Sequence, residues 1–581
     1  MARLPTLQRR PAGAAAARRL PTALALLAAS AFVLPGCGGG GGGSGTSADP
    51  ASAVPASAPI YAGADVRPSG SEQANAAAVG RSITHQGDPY LRLVQVLQTP
   101  GSPQLEYGRD IAPWLGPHAG VFLTSLADAG TLLPLLRQGL LGSASSAAAF
   151  PFGSHGAQGA IVMDTSDSSK ARSFLNSQAA HAGAHATSYR GVSYEATAEG
   201  IAFAMVDRFA VIGSEAGVHG VIDTTLGGAA LLHASGYAKL LADAPAGALA
   251  HLYTNPTAAA EGGTQKGALG LLALLAGARE SNISLVPASG SVSVYVDAAA
   301  TASTSTPGGL LGSVAEGSRA FDELPGDSWL AIGLGHLGSS LGQDVLALRE
   351  LAAAGSSLSG ASAGASSGPL SLKGLVEGLL APLSALGADT AQAKHDFSSW
   401  MGSGGVYASG SGLLELKGAV VIESTNPALS RAAVQKLAAQ LRLGGSSTQP
   451  VTIPGTDAAV AAKVSGLPVT LVIANGRDAA GETKFVLGLG EASVTDALSP
   501  STALASAASR SSAAATLGEG LQPSLLFEVP TLLALLEGVG LTEDPTISKL
   551  VPYLHSVATI AGGGHALASE VERFKLSVGL R

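Results

Sequence analysis

Three segments in the first half of this 581-residue chain recur in the same order in the second half. The clearest match is between residues 110–116 (DIAPWLG) and residues 396–402 (DFSSWMG), which contain two of the three tryptophans. The repeated positions of interest are Asp110, Trp114 and Gly116 in the first copy and Asp396, Trp400 and Gly402 in the second. Because chance similarity does not preserve order, the matches predict that one structural unit is used twice.

The other two matches have the pattern of strands that lead into helices. Residues 159–165 (GAIVMDT) match residues 418–424 (GAVVIES), and residues 208–216 match residues 484–492. Each of these segments contains a short apolar run typical of a strand. The pattern therefore predicts two strand-to-helix connections in each half of the chain.

Helix start signals stand at the expected places after these strands. Asp167 and Asn426 fall where an N-cap is needed, and Pro427 occupies the first helical position. Glu215 and Glu491 lie in the first turns of the other two helices, where the helix dipole favours a negative charge.

Short strands separated by a few residues, at 192–197, 201–206 and 208–213, indicate a β-meander and an antiparallel sheet. With helices packed on that sheet, the predicted class is α+β. We predict a signal peptide at 1–36, a lipidated cysteine and flexible tether at 37–57, a first unit at 58–297, a linker at 298–324, and a second unit at 325–581 with a low-complexity loop at 355–368.

The N-terminus has the pattern of an export signal. The first 36 residues contain five arginines and no acidic residue, and residues 22–34 form an apolar run too short to span a bilayer as a helix. Cys37, the only cysteine of the chain, follows Gly36 directly. This order resembles the lipobox of bacterial lipoproteins, in which the cysteine is diacylated and becomes the new N-terminus, although Pro35 departs from that pattern. The alternative is an ordinary secretory signal with an incidental cysteine.

The segment after Cys37 is suited to a tether, because residues 38–43 are all glycine and cannot pack against a core. No other segment reaches 18 consecutive apolar residues, so we expect attachment to the membrane only through the N-terminus. The formal net charge is -8, and it becomes -13 once the five leader arginines are removed. A chain of this charge has no general attraction for nucleic-acid phosphates, so we expect no nucleic-acid partner.

The sequence resembles a family of uncharacterised actinobacterial envelope proteins and lipoproteins, catalogued as domain of unknown function number 3352. The resemblance rests on residues 61–68 (YAGADVRP), on residues 110–116 with the following strand 119–123, and on residues 159–167 (GAIVMDTSD). It covers most of the chain after residue 50. It implies an exported envelope protein, and it implies no catalytic or ligand-binding residues.

A glycine pattern at residues 333–338 (GLGHLG) matches the GxGxxG fingerprint of dinucleotide sites and lies between a predicted strand and a predicted helix. No second strand ends in an acidic residue about 20 positions later, as such a site requires. We therefore expect no cofactor.

Two further motifs could indicate catalysis or metal binding. GxSxG patterns surround Ser340, Ser362 and Ser366, but only Ser340 follows a predicted strand as a nucleophile elbow must. His181 and His185 have the i, i+4 spacing of a helical metal pair, yet Gly183 weakens that helix. We expect a solvated helix end rather than a metal site.

The features shared by the two halves build a fold and include no catalytic set. We therefore expect a non-catalytic binding or structural module, anchored by lipid on the extracytoplasmic face of the cell membrane. An extracytoplasmic hydrolase acting through Ser340 is one alternative. A carrier of an apolar or lipid ligand is another, because the apolar segments 131–141, 267–278 and 530–541 are compatible with an apolar cleft. An envelope protein is a further possible partner.

Overall fold

The structure is a computed structural model. It describes residues 47–84, 103–125, 151–153, 156–255, 280–299, 309–342, 391–412, 415–463, 469–518, 520–538, 550–567 and 570–581, together with the single positions 94, 97, 98, 345, 540, 542 and 548. Cys37, the loop at 355–368 and the apolar segments 131–141 and 267–278 lie outside the described residues.

The first half contains ten strands and four helices within the described residues. The strands are β1 Ile60–Asp65, β2 Leu115–Leu123, β3 Gly159–Thr165, β4 His185–Tyr189, β5 Val192–Ala196, β6 Ile201–Val206, β7 Phe209–Ser214, β8 Ala250–Thr254, β9 Ser281–Ala288 and β10 Ser291–Ala299. The helices are α1 Gly70–Thr84, α2 Ser168–His181, α3 Glu215–Thr225 and α4 Ser235–Ala242.

The described part of the second half contains ten more strands and eight helices. The strands are β11 Ser328–Leu334, β12 Met401–Ser409, β13 Lys417–Ser424, β14 Ser447–Pro450, β15 Thr456–Lys463, β16 Leu471–Arg477, β17 Thr483–Leu489, β18 Leu525–Glu528, β19 Val557–Ala566 and β20 Val571–Leu580. The helices are α5 Gly309–Ala315, α6 Ser318–Asp322, α7 Ala391–Asp396, α8 Pro427–Leu443, α9 Glu491–Leu498, α10 Ala508–Leu517, α11 Val529–Gly538 and α12 Val551–His555.

Backbone hydrogen bonds join the twenty described strands into one antiparallel sheet. In the first half the strand order is β4-β5-β6-β7-β3-β2-β1-β8-β9-β10. The sheet continues from β10 into β20 and then runs β19-β18-β11-β12-β13-β17-β16-β15-β14. The prediction of an α+β protein with an antiparallel sheet is confirmed.

Helices and buried side chains cover both faces of the sheet. One face, which we call the Trp face, holds Trp114 under α2 and Trp400 under α8. The cores of the two halves meet on this face at the central strands, where Val296 of β10 and Leu576 of β20 contact both. On the opposite face, α3 and α4 cover the first half, and α9 and α10 cover the second.

The predicted helix caps are present. The Asp167 carboxylate accepts from the backbone N–H groups of Ser169 and Lys170, at 3.1 and 3.0 Å, and so begins α2. Asn426 accepts from the backbone N–H of Leu429 at 3.3 Å ahead of α8, whose first residue is Pro427. These caps satisfy N–H groups that have no acceptor within the helix.

Two predicted boundaries are wrong. The tether was predicted to reach residue 57, but Pro50–Ser52 form a 3-10 helix, and Ala51, Ala53 and Val54 are completely buried against the first half. The linker was predicted over 298–324, but β10 extends to Ala299, and α5 and α6 occupy much of residues 309–322. Alanine-rich segments looked unstructured in the sequence because their small apolar side chains produce little hydrophobic contrast.

The strand register also displaces the third sequence match by one residue. In the second match, Ala160 corresponds to Ala419. Because Gly213 pairs with Ala160 and Gly488 pairs with Ala419, Gly213 corresponds to Gly488. The sequence match had placed Gly213 opposite Leu489. By register, the counterpart of Phe209 is therefore Lys484.

Candidate functional site

The two tryptophans of the first match have the same local geometry. The Nε1–H of Trp114 donates to the backbone oxygen of Asp110 at 2.7 Å, and that of Trp400 donates to the backbone oxygen of Asp396 at 2.9 Å. Both indoles are almost completely buried. This arrangement anchors the turn before β2 or β12 to the core, which is a structural role.

The two aspartate side chains are held by neighbouring polar groups. Hydrogen bonds from Gln392 and Lys436 hold the pKa of Asp396 well below its usual range. The Arg109 guanidinium lowers the pKa of Asp110 in the same way. Both carboxylates therefore remain ionised, and their contacts with neighbouring polar groups stabilise the fold around the tryptophans.

The two histidines with metal-like spacing do not share a helix face. α2 ends at His181, Gly183 has a positive φ of 70°, and His185 is the first residue of β4. The His181 Nδ1 lies 2.6 Å from the backbone oxygen of Ser177, and both rings are exposed.

The glycines of the 333–338 motif are needed for packing. A Cβ on Gly333 would lie 2.0 Å from the backbone oxygen of Gly317, and a Cβ on Gly338 would lie 2.6 Å from that of Ser398. A Cβ on Gly335 would lie 2.8 Å from the Cβ of Glu316. Protein atoms thus fill the space in which a dinucleotide phosphate would be held.

Ser340 does not have the geometry of a nucleophile elbow. Its side chain is buried at 2% exposure, and its hydroxyl donates to the Ser313 hydroxyl at 3.4 Å. An elbow serine instead projects its hydroxyl into an accessible site beside a histidine. Ser362 and Ser366 lie outside the described residues.

A pocket of about 260 Å³ opens on the second half beside α6, β13 and the turn between β16 and β17. Its walls are mostly small or apolar side chains, namely Ala320, Leu324, Val421, Ala497, Leu498 and Pro500. Its charged lining residues are Arg319, Glu323, Glu423, Asp478 and Lys484. A neighbouring pocket of about 320 Å³ shares Ser403 and Glu423 with it. We call the first cavity the Glu423 pocket.

Lys484 is the buried centre of a charge cluster at this pocket. Its ammonium lies 2.9 Å from Glu323, 3.0 Å from Glu482 and 3.4 Å from Asp478. Burial opposes the charge of Lys484, but the hydrogen bonds to Glu323 and Glu482 outweigh it and raise the pKa of the ammonium. In return, the hydrogen bond from Lys484 lowers the pKa of Glu482.

Arg319 adds a second cation at the pocket mouth. Its guanidinium lies 3.0 Å from Glu482 and 3.3 Å from Glu323, but 3.9 Å from Glu423. Glu423 has the longest ion-pair contact of these acids, at 3.9 Å from Arg319, and no shorter one within the described part of the chain. Its charge is nevertheless the largest influence that raises the pKa of Arg319. Its carboxylate is 31% exposed and faces the cavity.

Carboxylates of Glu323, Asp478 and Glu482 lie within 4.8 Å of one another, close enough to share a metal ion. The Lys484 ammonium is already bonded to all three. A metal ion would have to displace that ammonium, so the donor set fits an internal lysine better than a cation from solution.

The first half has a neutralised acid at the corresponding position. Asp164 is completely buried, and its Oδ1 accepts from the Arg208 guanidinium at 2.8 Å. Phe209 is the register counterpart of Lys484 and the strand partner of Asp164, and it packs in the apolar core opposite the Trp face. The charge cluster with Lys484 at its centre therefore belongs to the second half of the described structure.

The first half has instead a cluster of aromatic and titratable side chains. Tyr237 and the Nε2 of His251 are 2.9 Å apart, and Tyr61 packs on both rings. Burial lowers the pKa of His251 and raises that of Tyr237. The His251 ring also fills the space over Gly63, where a Cβ would lie 2.5 Å from it. These groups are packed against one another, so we interpret the cluster as a polar part of the core.

The sequence analysis did not select Glu423 or Lys484. Both residues lie inside the repeated segments, where they looked like ordinary ends of apolar strands. The one available signal was Lys484 at the start of an otherwise apolar strand. It could not be interpreted, because Asp478 and Glu482 look like an ordinary polar turn just before the strand, and the third partner, Glu323, lies 161 residues away.

Of the three apolar segments proposed as a cleft, part of residues 530–541 is described. These residues lie in α11, which packs on β19 and buries Leu533 and Leu536. Within the described residues, no helix combines the length and apolar character needed to cross a membrane.

Comparison with known proteins places the chain in a family. No curated protein matches it. A solved structure titled "Structure of crystal form I of TP0453" is 10% identical, with a TM-score of 0.23 over 45% of this chain and 82% of that chain, which is too distant a similarity to support an argument. The profile of a family described as "Protein of unknown function (DUF3352)" matches residues 22–528. Because this match covers most of the sequence, the chain belongs to the DUF3352 family.

Proposed function

We propose that this protein is an exported lipoprotein that acts as a non-catalytic binding or structural module of the cell envelope. The order of the N-terminal features supports export and anchoring: a basic leader, a short apolar run, the sole cysteine Cys37 and six glycines. Pro50–Ser52 form a 3-10 helix with Ala51 buried, so the proposed tether would end before this segment.

We further propose that the two halves are copies of one α+β unit. The two halves have the same strand order outwards from β10 and β20. Trp114 and Trp400 make the same hydrogen bond to the residue four positions earlier. Such a duplication leaves one copy free to keep the fold while the other acquires a binding site.

The observation that favours binding is the Glu423 pocket, which combines apolar walls with an incompletely neutralised carboxylate. Ligand sites are typically concave and apolar with a few placed polar groups. The hydrolase alternative has weaker support, because Ser340 is buried against Ser313. An apolar ligand carrier remains compatible with the walls of the pocket.

Anchoring can be tested by detergent phase partitioning and mass spectrometry of the N-terminal peptide. We expect the wild-type chain to enter the detergent phase with a diacylated Cys37, and Cys37→Ser to remain unprocessed and unacylated. Ser44→Ala, a change in the same tether, is the matched control and should behave as wild type. An acyl-free N-terminus in the wild-type protein would contradict the anchoring proposal.

A further inference from the structure

We propose that the Glu423 pocket binds a small organic cation, with a primary ammonium group at Glu423 and an apolar tail against the pocket walls. This inference rests on the binding role proposed above and specifies its ligand class.

The charge balance of the pocket favours a cationic ligand. Four carboxylates, those of Glu323, Glu423, Asp478 and Glu482, surround two cations, Arg319 and Lys484. The cluster therefore has a formal excess of two negative charges, and the pocket lining, which does not include Glu482, has an excess of one. A cavity with this excess attracts cations and repels anions.

Glu423 is the carboxylate available to a ligand. Glu323 and Glu482 each contact both Arg319 and Lys484. Asp478 accepts from two backbone N–H groups of the turn between β16 and β17 and forms an ion pair with Lys484 at 3.4 Å. Glu423 has only the 3.9 Å contact with Arg319 among the described partners. An ammonium in the pocket could therefore donate to Glu423 without breaking an existing short ion pair.

The walls select an organic cation over a hydrated metal ion. Beyond Glu423 the pocket is bounded by Ala320, Leu324, Leu498 and Pro500, whose side chains offer no metal ligands. The three acids close enough to share a metal are already bonded to the Lys484 ammonium. A cavity of about 260 Å³ accommodates an amine with a short aliphatic tail.

The corresponding acid of the first half offers a contrast. Asp164 is bonded to Arg208 at 2.8 Å and is completely buried. The Oδ2 of Asp164 has no hydrogen-bond partner among the described residues, but the side chain is completely buried, so a ligand ammonium could not reach it without rearranging the core. The proposed ligand should therefore bind to the second half.

The test uses the full-length chain in detergent, with n-butylammonium as the probe and calorimetric titration as the measurement. 1-Butanol and butyrate, which share the tail but are neutral or anionic, are the ligand controls, and the same detergent without protein is the blank. We expect saturable binding of butylammonium, weaker binding of butanol and none of butyrate. Glu423→Gln removes the charge that pairs with the ammonium and should weaken butylammonium binding about tenfold.

Two further variants test whether weaker butylammonium binding comes from the change in the pocket or from a general change in charge. Glu195→Gln makes the same change at a partly exposed strand residue of the first half and should bind as wild type. Ala480→Trp places a large side chain at the exposed pocket mouth and should weaken binding while leaving circular dichroism unchanged. Equal affinity in Glu423→Gln and wild type, or equal affinity for butanol and butylammonium, would overturn the inference. Anchoring is measured separately, by partitioning, so failure of either proposal can be distinguished from failure of the other.

Discussion

Glu423 and Lys484 are register partners on neighbouring strands β13 and β17, yet the Lys484 ammonium bonds to Glu323 and Glu482, at 2.9 and 3.0 Å. The lysine therefore holds α6 against the turn between β16 and β17. The same arrangement leaves Glu423 to face the cavity. One buried cation thus has a structural role and also determines which acid is accessible.

We predict that Lys484→Met destabilises the second half by about 2 kcal/mol, because three carboxylates lose their shared counterion. The loss should shrink in acid. The pKa of Glu482 is lowered in the folded protein, so its stabilising contribution is present above the unfolded pKa of about 4.3 and disappears as the pH falls through the folded value. Urea unfolding followed by circular dichroism at pH 7 and at about pH 3 measures both effects.

The matched control for this variant is Lys417→Met. Lys417 pairs with Asp496 at 2.6 Å, but both side chains are about one-third exposed. Exposed ion pairs contribute at most about 1 kcal/mol. Equal losses in the two variants at pH 7 would contradict a special role for Lys484.

The three tryptophans provide a second prediction. Trp114→Phe and Trp400→Phe each remove an indole N–H that donates to an aspartate backbone oxygen, so each should cost about 2 kcal/mol. The Trp329 indole is also buried, but its Nε1 has no hydrogen-bond partner within the residues that the structure describes. Trp329→Phe should therefore change stability by less than about 1 kcal/mol, because it removes an unsatisfied donor.

Differential scanning calorimetry of the three variants checks this prediction. If the tryptophans contributed only their apolar area, Trp329→Phe would lower the unfolding temperature as much as the other two. A similar shift for Trp114→Phe and Trp400→Phe would also agree with the proposal that the halves are copies of one unit.

Much of the fold could be predicted from local sequence, since caps and strand ends are encoded within a few residues. Asp167, Asn426 and Pro427 identified the beginnings of α2 and α8 because capping depends on neighbouring backbone atoms. The register of β17 could not be predicted in the same way. Its sequence aligned on Phe209 and Phe485, but these residues lie on opposite faces of the sheet.

The candidate site could not be predicted because its charges are distant in sequence. Glu323, Glu423 and Lys484 are separated by 61 residues or more, and each looks like an ordinary solvated charge in its own segment. Their meeting depends on the order of β11, β12, β13 and β17 in the sheet. The glycine motif at 333–338 is ambiguous from sequence alone, because close packing and phosphate binding both require glycine.

The His118–Asp65 pair predicts a pH effect in the first half. The His118 Nδ1 lies 2.5 Å from the Asp65 carboxylate, and that hydrogen bond raises the pKa of His118. A histidine with a raised pKa in the folded protein contributes its full stabilisation at pH values below its unfolded pKa of about 6.5. This contribution is lost as the pH rises through the folded pKa. Asp65→Asn should therefore cost more stability at pH 5.5 than at pH 8.5.

Histidine NMR titration measures the same effect directly. His118 should titrate above about 6.5 and return towards that value in Asp65→Asn. The pKa of His251 is lowered by burial, so His251 should titrate below the ordinary histidine value and provides an internal comparison. A His118 resonance that titrates at or below 6.5 in the wild-type protein would contradict the prediction.

Gly116 and Gly402, which end the repeated Asp/Trp/Gly segment, should differ in how much stability is lost when each is replaced by alanine. A Cβ on Gly116 would lie 2.5 Å from the Oδ2 of Asp164 and 2.9 Å from its backbone carbon. Asp164 cannot move aside easily, because it is buried and bonded to Arg208. A Cβ on Gly402 would meet nothing closer than the backbone oxygen of Glu423, at 3.3 Å.

We therefore expect Gly116→Ala to destabilise the protein by about 2–3 kcal/mol through overpacking, and Gly402→Ala to change stability by less than about 1 kcal/mol. Urea unfolding of the two single variants is the measurement, and each is the control for the other because the substitution and the sequence context are the same. Equal losses would mean that the glycine is needed at the start of the strand itself, β2 or β12. A loss confined to Gly116→Ala would instead trace the requirement to the buried Asp164, the acid that the second half replaces with the accessible Glu423.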